Sequence, residues 1–148
     1  MQAIENGADT IMLAHILLPK IDDEYPATMS EEIVTELLRK ELGFEGVVIT
    51  DDMTMNAITD NYDLGQAAVR SIKAGSDIVL VAHDYHLVVT VADALIAAVE
   101  NGELSEERIN ESVERIIKLK QKYSIDDEPI QTVNMDEINK AIENALNG

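Results

Sequence analysis

The sequence predicts an α/β fold of about three parallel strands with flanking helices, and three observations support this prediction. Residues 3–15 can be laid over residues 71–83 at an offset of about 68 residues, with Ile, Gly, Asp, Ala and His in common. A further helix–strand pattern lies between these two copies. The chain therefore repeats the order helix, strand three times, which favours parallel pairing through right-handed crossovers. The carboxyl ends of all three strands are expected to point the same way.

Each copy of the repeat consists of a helix followed by a strand. The helical run ends at a glycine, Gly7 or Gly75, which suits the left-handed position that follows a helix. A short polar step leads into an apolar run that is typical of a strand buried on both faces. We expect these two strands to end near Ile16 and Ala82.

The middle unit has a clear start signal and a clear stop signal for its helix. Ser30 suits the N-cap, and Glu31 and Glu32 fall in the first turn, where the helix dipole favours anions. Gly43 ends the helix, and the strand follows at residues 47–50. The apolar residues of this helix recur at helical spacing: Ile33, Val34, Leu37, Leu38 and Leu42.

The second half of the chain is mainly helical. A helix that begins at Asp63 or Leu64 and ends near Lys73 leads into the third strand. Apolar residues at helical spacing predict two more helices, over about residues 87–99 and 105–123.

The end of the chain differs from the repeated units. Residues 124–133 contain acidic residues and a proline and are typical of a linker or turn. Asn134 and Glu137 then have the spacing of a capping box, which predicts a last short helix.

The composition excludes several classes of function. With 11 Lys and Arg against 29 Asp and Glu, the net charge is −18, so nucleic acid or an anionic membrane surface would be repelled. The apolar runs are too short for a bilayer span, and the absence of cysteine excludes disulfides and thiolate metal sites. We predict no metal and no cofactor, because no metal-ligand or phosphate-binding motif is present. The compartment stays undecided.

Two aspartates at the end of the middle strand are the main candidates for chemistry. Asp51 and Asp52 directly follow an apolar strand, where a carboxylate projects into the mouth of a site in parallel α/β proteins. Aspartate is also a common N-cap, and this alternative is stronger for Asp52 than for Asp51. A haloacid-dehalogenase-type phosphatase would need Asp-x-Asp, and a receiver domain would need a lysine after the third strand, so both fit less well.

Two histidines and a methionine are candidates for the same edge of the sheet. His15 and His83 end the two repeated strands, where an imidazole could donate to a substrate hydroxyl, although a structural role is commoner. Met53 could form an apolar wall for a sugar ring or, as methionine more often does, fill a gap in the core. Asp9 and Asp77 stand at the opposite ends of their strands, where a role in stability is favoured.

The residues around Asp51 resemble the active-site signature of glycoside hydrolase family 3. The matching stretch is residues 37–54, LLRKELGFEGVVITDDMT. It is most similar to the β-N-acetylhexosaminidase branch, in which the strand ends in Ser or Thr, then Asp-Asp, then Leu or Met. The resemblance covers about residues 2–123, and further stretches agree with it: residues 12–16, 26–30 and 106–113.

The resemblance implies an enzyme that hydrolyses a terminal β-linked N-acetylhexosamine by a retaining mechanism, with an N-acetylglucosaminide as carbohydrate substrate. Asp51 corresponds to the nucleophile, and His15, Asp52 and Met53 are the expected substrate-binding residues. The histidine that serves as acid/base in this branch, and the Lys-His-Phe-Pro-Gly-His-Gly-type stretch that binds the sugar, belong to an earlier part of the barrel. Neither occurs in this sequence.

The resemblance also implies that the chain is the C-terminal part of a TIM (β/α)8 barrel. Residues 1–123 would belong to the barrel, and residues 124–148 would form a linker and a short helix. Without the acid/base loop the fragment alone is expected to be inactive. Its open edges would be covered by the N-terminal half of the barrel or by a second copy in a homodimer. The alternative is a stand-alone acidic binding or interaction domain without catalysis.

Overall fold

The centre of the protein is a parallel sheet of three strands. The structure is a computed structural model that describes residues 2–125 and 134–147. Its strands are β1 (Thr10–Leu13), β2 (Leu17–Leu18), β3 (Asp22–Pro26), β4 (Val47–Asp52) and β5 (Ile78–Leu80). Strand β4 lies between β1 and β5 and runs parallel to both, whereas β2 and β3 form a small antiparallel ribbon. The predicted α/β fold with three parallel strands is confirmed.

Helices precede and follow the strands along the chain. They are α1 (Gln2–Glu5), a 3₁₀ turn (Ala27–Met29), a π-helix (Glu32–Glu41), α2 (Asn56–Thr59), α3 (Leu64–Ala74), α4 (Tyr85–Glu100), α5 (Glu106–Lys122) and α6 (Met135–Asn147). None of the helices in the described ranges has both the length and the apolar character needed to cross a bilayer. Most of the predicted linker, residues 126–133, lies outside the described residues.

The predicted helix caps and stops are present. The side chains of Asp63 and Ser105 each accept a backbone N–H in the first turn of α3 and α5, at 3.0 and 3.1 Å. Ser30 accepts the N–H of Ile33 at 3.2 Å. Gly43 follows the π-helix with a φ of 65°, a left-handed conformation that favours glycine. These local signals therefore set the helix ends as the sequence predicts.

The middle helix is wider than an α-helix, which the spacing of its apolar residues does not predict. Its last bonds span five or six residues: the N–H of Leu42 donates to Leu37 at 2.9 Å, and that of Phe44 to Leu38 at 3.1 Å. Val34 and Leu38 are nevertheless buried against Val48 of β4. The helix therefore covers the sheet as expected.

The two faces of the sheet differ in how well they are covered. On the face toward the helices, Val48 and Thr50 are completely buried. On the other face, Met12 is 55% exposed, and its neighbour Ile49 and then Asp51 are only half-buried. The prediction that the repeated strands are buried on both faces is therefore wrong, because β1 and β5 are edge strands and the helices cover one face. We call the second face, which carries Met12, Ile49 and Asp51, the open face.

Three elements near the carboxyl edge of the sheet lie outside the sequence predictions. They are the β2–β3 ribbon, the 3₁₀ turn and α2, which belong to the connections that follow β1 and β4. They contribute to a buried cluster of four side chains, which we call the rim cluster: Met29, Met53, Ile58 and Ala67. The rim cluster therefore forms a packed core beside the carboxyl ends of the strands.

At the amino edge of the sheet, one buried carboxylate gathers three arginines. The side chain of Asp77 has 0% exposure. Its hydrogen-bond and ion-pair partners lie at 2.5 to 3.6 Å and are Arg39, Val48 N–H, Ser112, Arg115 and Arg108. Its buried contacts join β5, β4, the π-helix and α5, as expected for a residue with a role in stability.

Candidate active site

Asp51 is placed at the carboxyl end of the central strand, on the open face. It is one of the last two residues of β4, which continues two residues beyond the predicted end at Thr50. The Oδ1 atom of Asp51 accepts the N–H of Asp52 at 2.8 Å. Within the described part of the chain, its Oδ2 atom accepts no hydrogen bond. Asp51 therefore presents a half-buried carboxylate with an unused oxygen.

Asp52 points away from Asp51, because consecutive side chains of a strand project to opposite faces. Its Oδ1 atom accepts the N–H groups of Thr54 and Ala82, each at 3.0 Å, and its Oδ2 atom accepts the Thr54 hydroxyl at 2.7 Å. Neither aspartate caps α2, whose N-cap is Met55. Asp52 instead closes a turn after β4 and joins it to the end of β5.

The environment of Asp52 favours its ionised form. Burial by itself raises the pKa of Asp52, but hydrogen bonds from Thr54 and Ala82 and the charge of His83 outweigh burial. The pKa of Asp52 is therefore held below its ordinary value. At neutral pH this side chain is a carboxylate whose acceptor positions are largely occupied by the protein.

His15 lies at the same edge, but both of its ring nitrogens are engaged by the protein. Nδ1 lies 2.8 Å from the hydroxyl of Thr28, which is completely buried. Nε2 lies 3.0 Å from the backbone carbonyl of Asp52, and because a carbonyl only accepts, Nε2–H is the donor. His15 therefore connects the segment after β1 to the end of β4 and has no ring nitrogen left for a substrate hydroxyl.

His83 is brought to the other side of Asp52. Its Nε2 atom lies 3.5 Å from Asp52 Oδ2, and its side chain is 82% exposed. Its φ of 70° is uncommon for a residue other than glycine, and such conformations occur often at functional sites. His86, one turn further on, is exposed.

Met53 is not at the surface of the site. It is 0% exposed and packs in the rim cluster with Met29 and Ile58. The alternation of side chains is broken by the turn after Asp52, which directs Met53 into the core. The structure thus favours Met53 as a filler of the core over Met53 as an apolar wall for a sugar. Met55, at 45% exposure, is the methionine that faces outward here.

Two residues that hold the site together were missed by the sequence analysis. Thr54 follows Asp52 at the spacing of an Asx turn, and this local signal could have identified it. Thr28 meets His15 only through the fold of the β2–β3 ribbon, and no local pattern predicts that contact. Within residues 2–125 and 134–147, no group of three or more His, Cys, Asp or Glu side chains could hold a metal ion.

Parallel strands with polar side chains at their carboxyl ends are typical of α/β proteins, in which ligands bind at that edge of the sheet. The family follows from comparison with known proteins. Residues 1–119 match the family described as the glycosyl hydrolase family 3 N terminal domain. The chain belongs to glycoside hydrolase family 3, and the resemblance of the residues around Asp51 to this family is confirmed.

Relatives within the family share the sequence and the fold of this chain. It is 40% identical over 111 residues to a β-hexosaminidase of Hydrogenovibrio crunogenus. The matched region covers 74% of this chain and 30% of the relative. The structure of a β-N-acetylglucosaminidase from Paenibacillus sp. FPU-7 is 44% identical with a TM-score of 0.86, over 90% of this chain and 26% of that protein.

A third relative is more distant. The structure of a β-N-acetylhexosaminidase from Beutenbergia cavernae is 32% identical with a TM-score of 0.76, over 80% of this chain and 35% of that protein. The chain therefore spans between about a quarter and a third of the length of these relatives. The chain thus matches one portion of the fold of the two solved structures.

Proposed function

We propose that this chain supplies the nucleophile of a retaining β-N-acetylhexosaminidase, and that the nucleophile is Asp51. The observation that carries this proposal is the contrast between the two aspartates that end β4. Asp52 accepts three hydrogen bonds through its two carboxylate oxygens, whereas Asp51 accepts one and offers Oδ2 on the open face. A carboxylate with an unused oxygen is the better nucleophile.

In the proposed reaction, an Asp51 oxygen attacks the anomeric carbon of a terminal N-acetylhexosamine. The glycosidic C–O bond breaks, and the leaving oxygen takes a proton from a general acid. The group that gave this proton then takes one from a water molecule, which attacks the same carbon, releases Asp51 and restores the original configuration. An N-acetylglucosaminide is the substrate that the name of the Paenibacillus relative, a β-N-acetylglucosaminidase, suggests.

We assign supporting roles to the neighbouring residues. His15 positions the nucleophile by holding the backbone carbonyl of Asp52, the residue next to Asp51. Asp52 fixes the turn after the strand and, together with the exposed His83, provides polar groups at the rim for sugar hydroxyls. Met53 supports both aspartates from the rim cluster and does not contact the sugar.

We further propose that the sheet is the C-terminal part of a (β/α)8 barrel. The open face then corresponds to the interior of the barrel, because it carries the half-buried Ile49 and Asp51 while the helices cover the other face. The relatives are about three times as long as the matched region, so the acid/base is expected from the rest of the barrel. A second copy of this chain is the other candidate for covering the strand edges of β1 and β5.

The test uses a chimera in which residues 2–123 of this chain replace the corresponding segment of the Paenibacillus relative. The chimera is expected to hydrolyse 4-nitrophenyl N-acetyl-β-D-glucosaminide, and NMR is expected to show the β-anomer as the first product. Asp51→Asn should lower kcat about 10⁴-fold or more. The control is Asp60→Asn, an exposed residue at the end of α2, which should leave kcat unchanged.

Two outcomes would contradict the proposal. One is an active chimera in which Asp51→Asn keeps more than a tenth of the rate, which would exclude Asp51 as the nucleophile. The other is a folded chimera that binds the sugar without hydrolysis, which would favour a non-catalytic binding domain. Light scattering of the unfused chain tests whether a second copy covers the strand edges, because a monomeric mass would exclude the homodimer.

A further inference from the structure

A cavity of about 390 Å³ lies beside the rim cluster, between the β2–β3 ribbon and the outer side of α3. This volume is within the range of sites for small molecules. Its lining includes Tyr25 and Tyr62, Gln66 and Asn61, and the two cations Arg70 and Lys73. We propose that this cavity, the Arg70 cavity, binds a small hydroxylated carboxylate such as a sugar acid.

The first reason is that Arg70 has donors without acceptors. The Nε atom of Arg70 is buried and has no hydrogen-bond partner. The other three arginines, Arg39, Arg108 and Arg115, all pair with Asp77. Within the described residues, Arg70 forms no ion pair or hydrogen bond, although the chain has a net charge of −18. Because no carboxylate among the described residues pairs with this guanidinium, it is suited to bind the carboxylate of a ligand.

The second reason is that Arg70 is held in place before any ligand binds. Its guanidinium carbon lies 3.3 Å from the centroid of the Tyr25 ring, a cation–π contact. Tyr25 stacks in turn with Tyr62 at a centroid distance of 6.4 Å. Both tyrosines pack against the rim cluster. Little conformational entropy would therefore be lost when the guanidinium pairs with a ligand.

The charges around the cavity leave room for one added anion. Lys73 lies one turn after Arg70 on α3 and lines the same cavity without an ion pair in the described residues. Of the two acidic residues in the lining, Asp63 is occupied as the N-cap of α3, and Glu103 pairs with neither cation. Asp22 is influenced by the charge of Arg70, but a hydrogen bond from Ser30 has the larger effect in lowering the pKa of Asp22.

The uncharged polar side chains of the lining are suited to the hydroxylated ring of the ligand. The amide groups of Asn61 and Gln66 and the phenol of Tyr62 can exchange hydrogen bonds with the hydroxyls of a sugar ring. Gln66 is exposed beside Arg70, and its side chain makes no hydrogen bond in the described part of the chain. A carboxylate on a hydroxylated ring therefore matches both parts of the cavity.

The test is a titration of the 148-residue chain, followed by ¹H–¹⁵N NMR, with D-glucuronate as the ligand. D-Glucose is the matched uncharged probe, and inorganic phosphate is the matched anion without a ring. Glucuronate is expected to shift the amide signals of Tyr25, Tyr62 and Arg70 and to bind at least about tenfold more tightly than either other probe. Arg70→Met keeps a long apolar side chain at this position but removes the guanidinium, and it should weaken glucuronate binding by about tenfold or more.

The control is Lys120→Met, which removes the same charge from an exposed site on α5 and should leave the affinity unchanged. Arg70→Lys keeps the positive charge but loses the planar guanidinium, which can donate two parallel hydrogen bonds to a carboxylate, and it should also weaken binding. The test therefore does not depend on the folding of a single variant. Equal affinity for glucose and glucuronate would overturn the proposal, as would glucuronate binding that survives both Arg70 variants. Equal affinity for phosphate would overturn recognition of the ring.

Discussion

The two edges of the parallel sheet use the same residue type for opposite purposes. At the amino edge, Asp77 is fully buried and is surrounded by three arginines, a serine and a backbone N–H. At the carboxyl edge, Asp51 is half-buried and accepts a single hydrogen bond. A carboxylate with every acceptor position occupied stabilises the fold, whereas one with an unused oxygen can react. This comparison predicts that substitutions at the amino edge mainly lower stability, whereas substitutions at the carboxyl edge mainly lower activity.

The largest expected effect is at the carboxyl edge. Asp51→Asn removes the proposed nucleophile and should abolish turnover of the chimera, yet among the described residues it removes no ion pair. The free energy of unfolding of the 148-residue chain should therefore change by only about 0.5 kcal/mol, as for a surface substitution. Urea unfolding followed by circular dichroism measures this change. A loss of several kcal/mol would show that Asp51 has a structural role and would break the comparison.

The second largest effect is expected at the amino edge, where a substitution should lower stability. Asp77→Asn leaves Arg39, Arg108 and Arg115 close together without their shared counter-charge, and the lost buried pairing should cost about 3–5 kcal/mol of unfolding free energy. The same urea experiment measures it. Asp9→Asn breaks a pair with Lys122 near the same edge, but this pair lies at the surface, where solvent screens it, and its loss should cost much less than the loss of Asp77. Equal costs for the two variants would contradict the distinction.

The difference between the edges also shows how far sequence reasoning reaches. The position of Asp51 follows from the apolar strand directly before it, which is a local pattern, and the capped helices α3 and α5 follow from their first turns. The partners of Asp77 lie 29 to 38 residues away in sequence, and no local pattern identifies them. The place of Met53 likewise depends on a turn that Asp52 and Thr54 form together.

His15 is an intermediate case, because sequence reasoning placed it at the correct edge but not in its observed contacts. Its role depends on Thr28, which a ribbon outside the predictions brings to it. The expectation of a substrate-binding side chain arises from chain position alone. The contact with the Asp52 carbonyl supports a positioning role instead.

A substitution at His15 separates positioning from binding. His15→Ala leaves the buried Thr28 hydroxyl without one partner and should cost about 1–3 kcal/mol in unfolding free energy. In the chimera, kcat should fall about tenfold or more while KM stays within about twofold, because the lost contact orients the strand end and not the sugar. His15→Gln, which can donate to the same carbonyl, should recover part of kcat. A variant that raises KM with kcat unchanged would restore the substrate-binding interpretation.

The smallest expected effect concerns the pH dependence of stability at Asp52. Because the pKa of Asp52 is lower in the folded chain than its ordinary value of about 3.9, ionised Asp52 stabilises the fold above that value. This stabilisation is lost as the pH falls through the lowered pKa. The difference in unfolding free energy between the wild type and Asp52→Asn should therefore shrink between about pH 5 and pH 2.

A second variant tests the physical cause of that pH dependence. Thr54→Val removes the hydroxyl that donates to Asp52 Oδ2 and leaves the backbone donors in place. The pKa of Asp52 should then move back toward its ordinary value, so the stability of Thr54→Val should fall less steeply with acid than that of the wild type. Identical acid profiles for the two proteins would mean that the hydroxyl does not hold Asp52 ionised. Asp52 would then be held ionised by its backbone donors and His83, whereas Asp77 pairs with the side chains of three arginines.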